Sequence, residues 1–243
     1  MEWFKDLYNG FRMRRSFGRV SEEKTEKEVD FIYEVLNLHK GARVLDLFCG
    51  TGRHSIELAK RGCKPVGIDY NPEYLKLARE QAKEKGVSIE FIQGDVRYVD
   101  FGEGYDGAII MFNSFGYFSN KEDRMLLEKV YNALKERGRF LIEIISRDWL
   151  LKNFVERKAT EIDGIKIVEE REFDILTSRN NFAIKRYEKE GVVLKKGSWR
   201  FYSAHEIKNI LEAISFKFIA CYDNLNKEPL TKDTRLMRLV FEK

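Results

Sequence analysis

Glycines and acidic residues recur where short apolar segments end, and these residue types bind nucleosides. The segment Val44–Gly52 reads VLDLFCGTG, an apolar strand followed by a turn that contains Gly50 and Gly52. Because glycine has no Cβ, a ligand can approach the backbone of such a turn closely. Asp69 ends the next apolar run, VGID, where a carboxylate can accept hydrogen bonds from both hydroxyls of a ribose. The spacing therefore predicts a nucleoside site.

The same segment disfavours two common nucleotide-binding motifs. A dinucleotide fingerprint needs a third glycine, and that position is Ser55. A P-loop needs the sequence G-K-[ST], which does not occur. Two further acids favour another cofactor: Asp46 lies four residues before the first glycine, and Asp95 ends the third apolar run. An NAD-dependent oxidoreductase remains an alternative function, and a measurement of NAD binding would distinguish it.

These motifs in register resemble the class I methyltransferases that use S-adenosylmethionine. The resemblance covers about residues 40–145 and rests on Asp46-x-x-x-Gly50-x-Gly52, Asp69 and Gly94-Asp95-Val96. It implies S-adenosylmethionine as cofactor and S-adenosylhomocysteine as product. The positions implied at the cofactor are Asp46, Cys49, Gly50, Gly52, Asp69, Tyr70, Asp95, Val96 and Met111, with Tyr8 and Arg14 from the N-terminal segment.

The resemblance also implies individual roles. Asp69 would hold the ribose, Asp95 the adenine amino group, and Tyr70 and Val96 the two faces of the base. Cys49 lies in the glycine turn, where we expect it to pack rather than to act as a nucleophile.

The segment after the fourth predicted strand, Ile110–Phe118, should adjoin the transferred methyl group. It lacks the Pro-Pro turn of methyltransferases that act on exocyclic amino groups of bases, and none of the three cysteines follows a proline, as the cytosine-5 type requires. Its M-F-x-S-x-G-Y pattern is similar to small-molecule N-methyltransferases, notably aminosugar N,N-dimethyltransferases and more distantly glycine N-methyltransferase. The resemblance implies a small-molecule acceptor methylated on nitrogen or oxygen. Expected substrate-lining residues are Asn113, Phe115, Tyr117, Arg171, Arg186 and Arg200, and the only catalytic candidates are Tyr117 and His205.

Elements of alternating type must position these residues. From about residue 24 helical spacing and short apolar runs alternate, which is typical of a mostly parallel sheet covered by helices on both faces. Asn71-Pro72 predicts a helix start, and Ser203-x-x-Glu206 predicts a capping box. We expect an α/β, Rossmann-like methyltransferase sheet of seven strands with the last strand antiparallel. The predicted strands are 43–48, 65–69, 88–93, 107–112, 140–145, 216–222 and 235–241.

The alternation breaks after residue 157. The segment 158–203 contains β-like runs separated by turn residues, which predicts three or four antiparallel strands inserted as a lid. Residues 1–38 are expected to form an N-terminal cap whose aromatic residues order over the site. Residues 39–157 and 204–243 would form the methyltransferase domain.

The charge composition limits the classes of molecule that the chain is expected to bind. The 243 residues carry 44 Lys plus Arg against 40 Asp plus Glu, a formal charge of +4. Residues 185–200 hold six basic residues and two acids, so this one segment accounts for the surplus. This basic segment is compatible with an acidic small substrate. It is also compatible with the alternative function, methylation of RNA or the ribosome. A further alternative is a protein that binds S-adenosylmethionine without turnover.

Other features of the composition concern compartment and source. Three cysteines without a C-x-x-C pair argue against disulfides and a metal site. The chain has no apolar run long enough for a membrane span or a signal peptide, so we expect a cytoplasmic location. The abundance of Lys, Glu and Arg beside two glutamines fits a thermophile. The sequence leaves the oligomeric state undetermined.

Overall fold

The computed structural model describes residues 3–7, 20–162, 164–188 and 190–243. Seven helices and eleven strands lie within these residues. The helices are α1 (Trp3–Leu7), α2 (Glu22–Val35), α3 (Arg53–Lys60), α4 (Pro72–Glu84), α5 (Asn120–Ala133), α6 (Arg147–Lys152) and α7 (Ala204–Glu212). The strands are β1 (Arg43–Leu47), β2 (Lys64–Asp69), β3 (Glu90–Gln93), β4 (Tyr105–Ile110), β5 (Leu134–Ile145), β6 (Arg157–Ile162), β7 (Ile165–Asp174), β8 (Arg179–Glu188), β9 (Gly191–Arg200), β10 (Lys217–Tyr222) and β11 (Leu236–Glu242).

The main sheet has seven strands in the order β10-β11-β5-β4-β1-β2-β3. Strands β1 to β5 pair in parallel, whereas β11 runs antiparallel to both β5 and β10. The predicted fold class is therefore confirmed. The chain builds outward from β1 to β3 and then returns to place β4 on the other side of β1. In such sheets a ligand binds beyond the carboxyl ends of the strands at this reversal point, between β1 and β4.

The inserted segment forms a second, four-stranded antiparallel sheet in the order β6-β7-β8-β9. Directly opposed residues share a face, so Arg171, Phe182 and Gly197 form one cross-strand row. Trp3 of α1 packs on this row, because a Cβ on Gly197 would lie 2.6 Å from the Trp3 ring. The boundaries drawn at residues 38, 157 and 203 stay predictions.

Local rules set the helix starts. Asn71 caps α4 by accepting hydrogen bonds from the Glu73 and Tyr74 amides, with proline at the first helical position, as predicted. The capping box at Ser203 and Glu206 is also confirmed. A second box, Ser119 with Glu122, starts α5 at residue 120.

The main sheet is buried on both faces. On one face, helices α5 and α7 contribute Leu126, Leu127 and Ile207 to the larger core cluster. On the other face, α2 and α3 contribute Val29 and Leu58 to a second cluster. Strands covered on both faces are typical of parallel sheets, and they fix the edge where the site lies. No helix among the described residues is long and apolar enough to cross a membrane.

Candidate active site

A cleft lies beyond the carboxyl ends of β1, β2, β3 and β4. It encloses about 540 Å³ of empty space, including the part open to solvent. Six residues singled out from the sequence come together here: Gly50, Asp69, Tyr70, Asp95, Val96 and Tyr117. The remaining lining residues are Phe4, Phe48, Tyr74, Ser114 and Phe118. Phe48 directly follows β1, so the rule for strand ends could have identified it.

The glycine turn after β1 is built by left-handed backbone. Phe48, Gly50 and Gly52 have φ angles of 58°, 57° and 74°. Gly50 lines the cleft, and its amide donates to Asp69 Oδ2 at 2.9 Å. A Cβ on Gly52, by contrast, would lie 2.8 Å from the Phe91 ring. Gly52 therefore makes room for a side chain of the protein itself, whereas the sequence analysis assigned both glycines to ligand approach.

Asp69 ends β2 with both carboxylate oxygens oriented by the backbone. Its Oδ1 accepts from the Asn71 amide and its Oδ2 from the Gly50 amide, each at 2.9 Å. Burial raises the pKa of Asp69 to about 6 against these hydrogen bonds. Each oxygen can accept a second hydrogen bond, so the carboxylate retains acceptor capacity for a pair of hydroxyls.

Two residues assigned to the cofactor lie beneath the glycine turn. Asp46 is 2% exposed and accepts a hydrogen bond from the Ser55 hydroxyl at 2.6 Å, and burial raises its pKa to about 7. Burial likewise raises the pKa of the Cys49 thiol, which packs close to Gly67. Both side chains support the turn and neither lines the cleft.

Arg97, which the sequence analysis did not single out, holds Asp95 in place. Its Nε donates to Asp95 Oδ1 at 3.0 Å and its Nη2 to Oδ2 at 2.7 Å. Partial burial by itself would raise the pKa of Asp95, but the hydrogen bonds and charge of Arg97 outweigh it and leave this pKa below its ordinary value. The Arg97 guanidinium also lies 4.3 Å from the centre of the Phe118 ring. Asp95 is thus a fixed, ionised acceptor at the β3 end of the cleft.

Helix α1 closes one side of the cleft. Phe4 is 6% exposed and lines the cleft, and the Tyr70 hydroxyl donates to the Phe4 carbonyl at 3.2 Å. Lys5 lies 3.7 Å from Asp95. The two N-terminal residues assigned to the cofactor, Tyr8 and Arg14, lie outside the described residues.

The turn after β4 is attached to the four-stranded sheet. The Arg200 amide donates to the Gly116 carbonyl at 2.9 Å, and Trp199 Nε1 donates to the Phe115 carbonyl at 2.7 Å. Trp199 also packs on Tyr117 with ring centres 4.9 Å apart. The four-stranded sheet and the turn that borders the cleft are therefore held together by backbone and ring contacts.

Four other residues predicted for the site do not line the cleft. Met111, which directly follows β4, is 4% exposed and packs with Ile109 in the second core cluster. Asn113 accepts from the Ile145 amide through Oδ1 at 2.8 Å, and Phe115 packs on Tyr202. His205 is exposed on α7 and contacts Asn209.

The three arginines assigned to the substrate are ion-paired and do not line the cleft either. Each lies within 3 Å of a glutamate: Arg171 with Glu169 at 2.8 Å, Arg186 with Glu188 at 2.9 Å, and Arg200 with Glu206 at 2.6 Å. In the ranges that the structure describes, no group of three or more His, Cys, Asp or Glu side chains could hold a metal ion.

The residues of the cleft fit an adenosine-containing cofactor. Two oriented carboxylates, Asp69 and Asp95, lie at the ends of adjacent strands, and apolar rings flank them. Such a cleft, mostly apolar with a few convergent polar groups, suits a small organic ligand.

Comparisons with known proteins agree with this geometry. A family model described as a methyltransferase domain matches residues 44–138. The chain is 31% identical over 133 residues to a glycine/sarcosine N-methyltransferase of Halorhodospira halochloris, covering 54% of this chain and 50% of the relative. The chain spans about half the length of the curated relatives that it matches.

Solved structures share the whole fold at low identity. A S-adenosylmethionine-dependent methyltransferase from Clostridium acetobutylicum superposes with a TM-score of 0.79 at 19% identity, over 98% of both chains. An amino pentose methyltransferase from Micromonospora echinaspora, solved with S-adenosylmethionine bound, gives 0.64 at 18% identity, over 100% of this chain and 97% of that one. Residues 44–138 therefore match a methyltransferase domain, and the whole chain has the fold of the solved S-adenosylmethionine-dependent methyltransferases.

Proposed function

We propose that the protein transfers a methyl group from S-adenosylmethionine to a small amine. The observation that carries this proposal is the composition of the cleft. Two oriented carboxylates, Asp69 and Asp95, lie beside the aromatic ring of Tyr117, and the four-stranded sheet contacts the turn that bears this ring. The printed names of two similar proteins, a glycine/sarcosine N-methyltransferase and an amino pentose methyltransferase, support nitrogen as the acceptor atom.

Four cleft residues would bind the nucleoside of the cofactor in this proposal. Asp69 would accept hydrogen bonds from the ribose hydroxyls, and Asp95, fixed by Arg97, would accept from the adenine amino group. Tyr70 and Val96 would bound the base. With these contacts the nucleoside would lie over β2 and β3, and the reactive end of the cofactor would extend toward β1 and β4.

Methyl transfer needs alignment more than acid–base chemistry. The bound cofactor supplies an activated sulfonium methyl group, so the chain has to orient the acceptor and exclude water. Tyr117, 8% exposed and surrounded by Phe48, Trp3 and Trp199, forms an aromatic wall where the acceptor would approach. Electron-rich ring faces can also stabilise a cationic amine.

Calorimetry and a transfer assay test this proposal. We expect S-adenosylhomocysteine to bind and NAD not to bind. With labelled cofactor we expect label on small primary or secondary amines, including glycine, sarcosine and amino sugars, and none on RNA. Binding without transfer to any amine or hydroxyl acceptor would favour the cofactor-binding protein without turnover, and label on RNA alone would favour the polymer substrate.

The charge of the insertion gives little support to RNA as a substrate. Lys185 is paired with Glu170 at 2.8 Å, and Arg186 and Arg200 have glutamate partners as described above. These pairs compensate half of the six basic residues in 185–200. Phosphate binding depends on uncompensated cations, so RNA affinity should be weak and should fall steeply with salt.

A further inference from the structure

The order of the strands along the sheet edge indicates where each part of the cofactor would lie. If Asp95 at β3 faces the base and Asp69 at β2 faces the ribose, the next strands along the edge are β1 and β4. The amino-acid end of the cofactor, which carries a carboxylate, therefore extends to the crevice between β1 and β4. This step rests on the proposed function, because it takes the nucleoside contacts as given.

Arg53 does not line the cleft described above, but it follows the glycine turn that borders this crevice. It is the first residue of α3, directly after the glycine turn of β1. Its guanidinium carbon lies 5.7 Å from the centre of the Phe112 ring, and Phe112 follows β4 with a left-handed φ of 59°. Arg53 thus bridges the loops that follow the two strands flanking the reversal point.

One side of the Arg53 guanidinium is fixed by helix α2. Its Nη1 donates to the Thr25 hydroxyl at 3.2 Å and to Glu28 Oε2. Within the part of the chain that the structure describes, its Nε and Nη2 donate to no acceptor. Nε and Nη2 form the side-on edge of a guanidinium, which matches the two oxygens of a carboxylate.

We propose that Arg53, anchored by Glu28 and Thr25, binds the α-carboxylate of the cofactor through its Nε and Nη2 edge. The anchor makes this geometry persistent: Glu28 is 4% exposed, and only 16% of the Arg53 side chain is exposed. An arginine whose rotamer is already fixed loses little conformational entropy when it binds a ligand. Arg53 is therefore the residue that distinguishes the complete cofactor from its nucleoside part.

The charge state of the anchor is compatible with this role. Burial by itself would raise the pKa of Glu28, but His54 and Arg53 together lower it to about 2, so Glu28 is ionised at neutral pH. Burial, and then the charge of Arg53, lower the pKa of His54 to about 4, so this imidazole is neutral. Glu28 thus compensates the charge of Arg53 in the free protein and orients it for a second carboxylate.

A pair of ligands and a matched variant test the proposal. S-adenosylhomocysteine carries the amino-acid end, whereas 5′-methylthioadenosine has the same nucleoside and thioether without it. The variant is Arg53→Gln. Its control is Arg61→Gln, because Arg61, just after α3, also ties this helix to α2 through an ion pair, with Asp30 at 2.6 Å. Calorimetry gives the dissociation constant of each ligand for each protein, and thermal unfolding verifies that each protein is folded.

We expect Arg53→Gln to raise the dissociation constant of S-adenosylhomocysteine ten- to a hundredfold and to leave that of methylthioadenosine within about twofold. Arg61→Gln should change neither, and Arg53→Lys, which keeps the charge but not the two-donor edge, should lie between. Equal weakening of both ligands by Arg53→Gln, or no change in either, would overturn the proposal. If the unaltered protein binds neither ligand, the proposed function itself fails.

Discussion

The substitution Asp69→Asn separates cofactor binding from folding. The isosteric amide keeps one acceptor oxygen, so either the Gly50 or the Asn71 amide, each 2.9 Å from the carboxylate, faces an NH₂ group. An unsatisfied buried donor costs about 1–3 kcal/mol of folding free energy. Against this, holding Asp69 ionised with a pKa near 6 rather than 3.8 costs about 3 kcal/mol at pH 8, and the amide removes that cost. The two effects nearly cancel, so we expect the variant to stay folded.

The effect of Asp69→Asn on cofactor affinity is not offset by an opposing effect. A ribose hydroxyl that loses a charged acceptor loses about 1.5–3 kcal/mol. That loss raises the dissociation constant by roughly 10- to 150-fold. Because the ribose is common to both, S-adenosylhomocysteine and 5′-methylthioadenosine should weaken equally, unlike the selective effect expected for Arg53.

The assay is calorimetric titration at pH 8 with thermal unfolding in parallel. The matched control is Asp123→Asn, since Asp123 is also buried, has a pKa raised to about 6 by burial and does not line the cleft. The control should bind the cofactor normally. If folded Asp69→Asn binds S-adenosylhomocysteine within twofold of the unaltered protein, the assignment of Asp69 to the ribose is wrong.

Three further predictions follow from the lid, a buried acid and the N-terminal segment. Gly116→Ala should lower the free energy of unfolding by about 1–3 kcal/mol more than Gly86→Ala, because both glycines have positive φ but only the Gly116 Cβ would clash with a backbone atom, the Arg200 carbonyl oxygen. Urea unfolding of the two variants measures this difference, and equal losses would contradict it. The folded-state pKa of Asp123 lies above its ordinary 3.8, so its contribution to stability is lost as pH rises from about 4 through 6. Asp123→Asn should therefore gain up to about 3 kcal/mol relative to the unaltered protein between pH 4 and pH 8, whereas a pH-independent difference would refute the raised pKa. S-adenosylhomocysteine should slow proteolytic cleavage within residues 1–20, and unchanged cleavage would argue against an ordered lid.

Local signals in the sequence were sufficient for most of the fold. Asn71-Pro72 and the capping box at Ser203 determine helix starts through contacts within three residues, so they can be read without knowledge of the tertiary structure. Strand alternation with helices gave the sheet and its last antiparallel strand. The capping box of Ser119 and Glu122 at the start of α5 is an equally local signal.

The composition of the cleft was less accessible to sequence analysis. The acids and Gly50 were found because strand ends converge on one edge in any parallel sheet. Phe4 and Trp199 reach the cleft region through contacts with residues more than sixty positions away, such as Tyr70 and Phe115. Such contacts depend on how α1 and the inserted sheet dock, and no local periodicity encodes docking.

The arrangement of charge in the four-stranded sheet bears on which acceptors the proposed activity can select. The surplus of +4 lies within residues 185–200, yet Lys185 and Arg200 pair with glutamates outside this segment, and Arg186 pairs with Glu188 within it. These ion pairs reduce the positive potential that a polyanion would experience at this sheet. Discrimination between acceptors should therefore depend on the rings around Tyr117 rather than on lid charge. An aromatic wall favours a compact amine over a phosphate-rich polymer, which is consistent with the proposed acceptor.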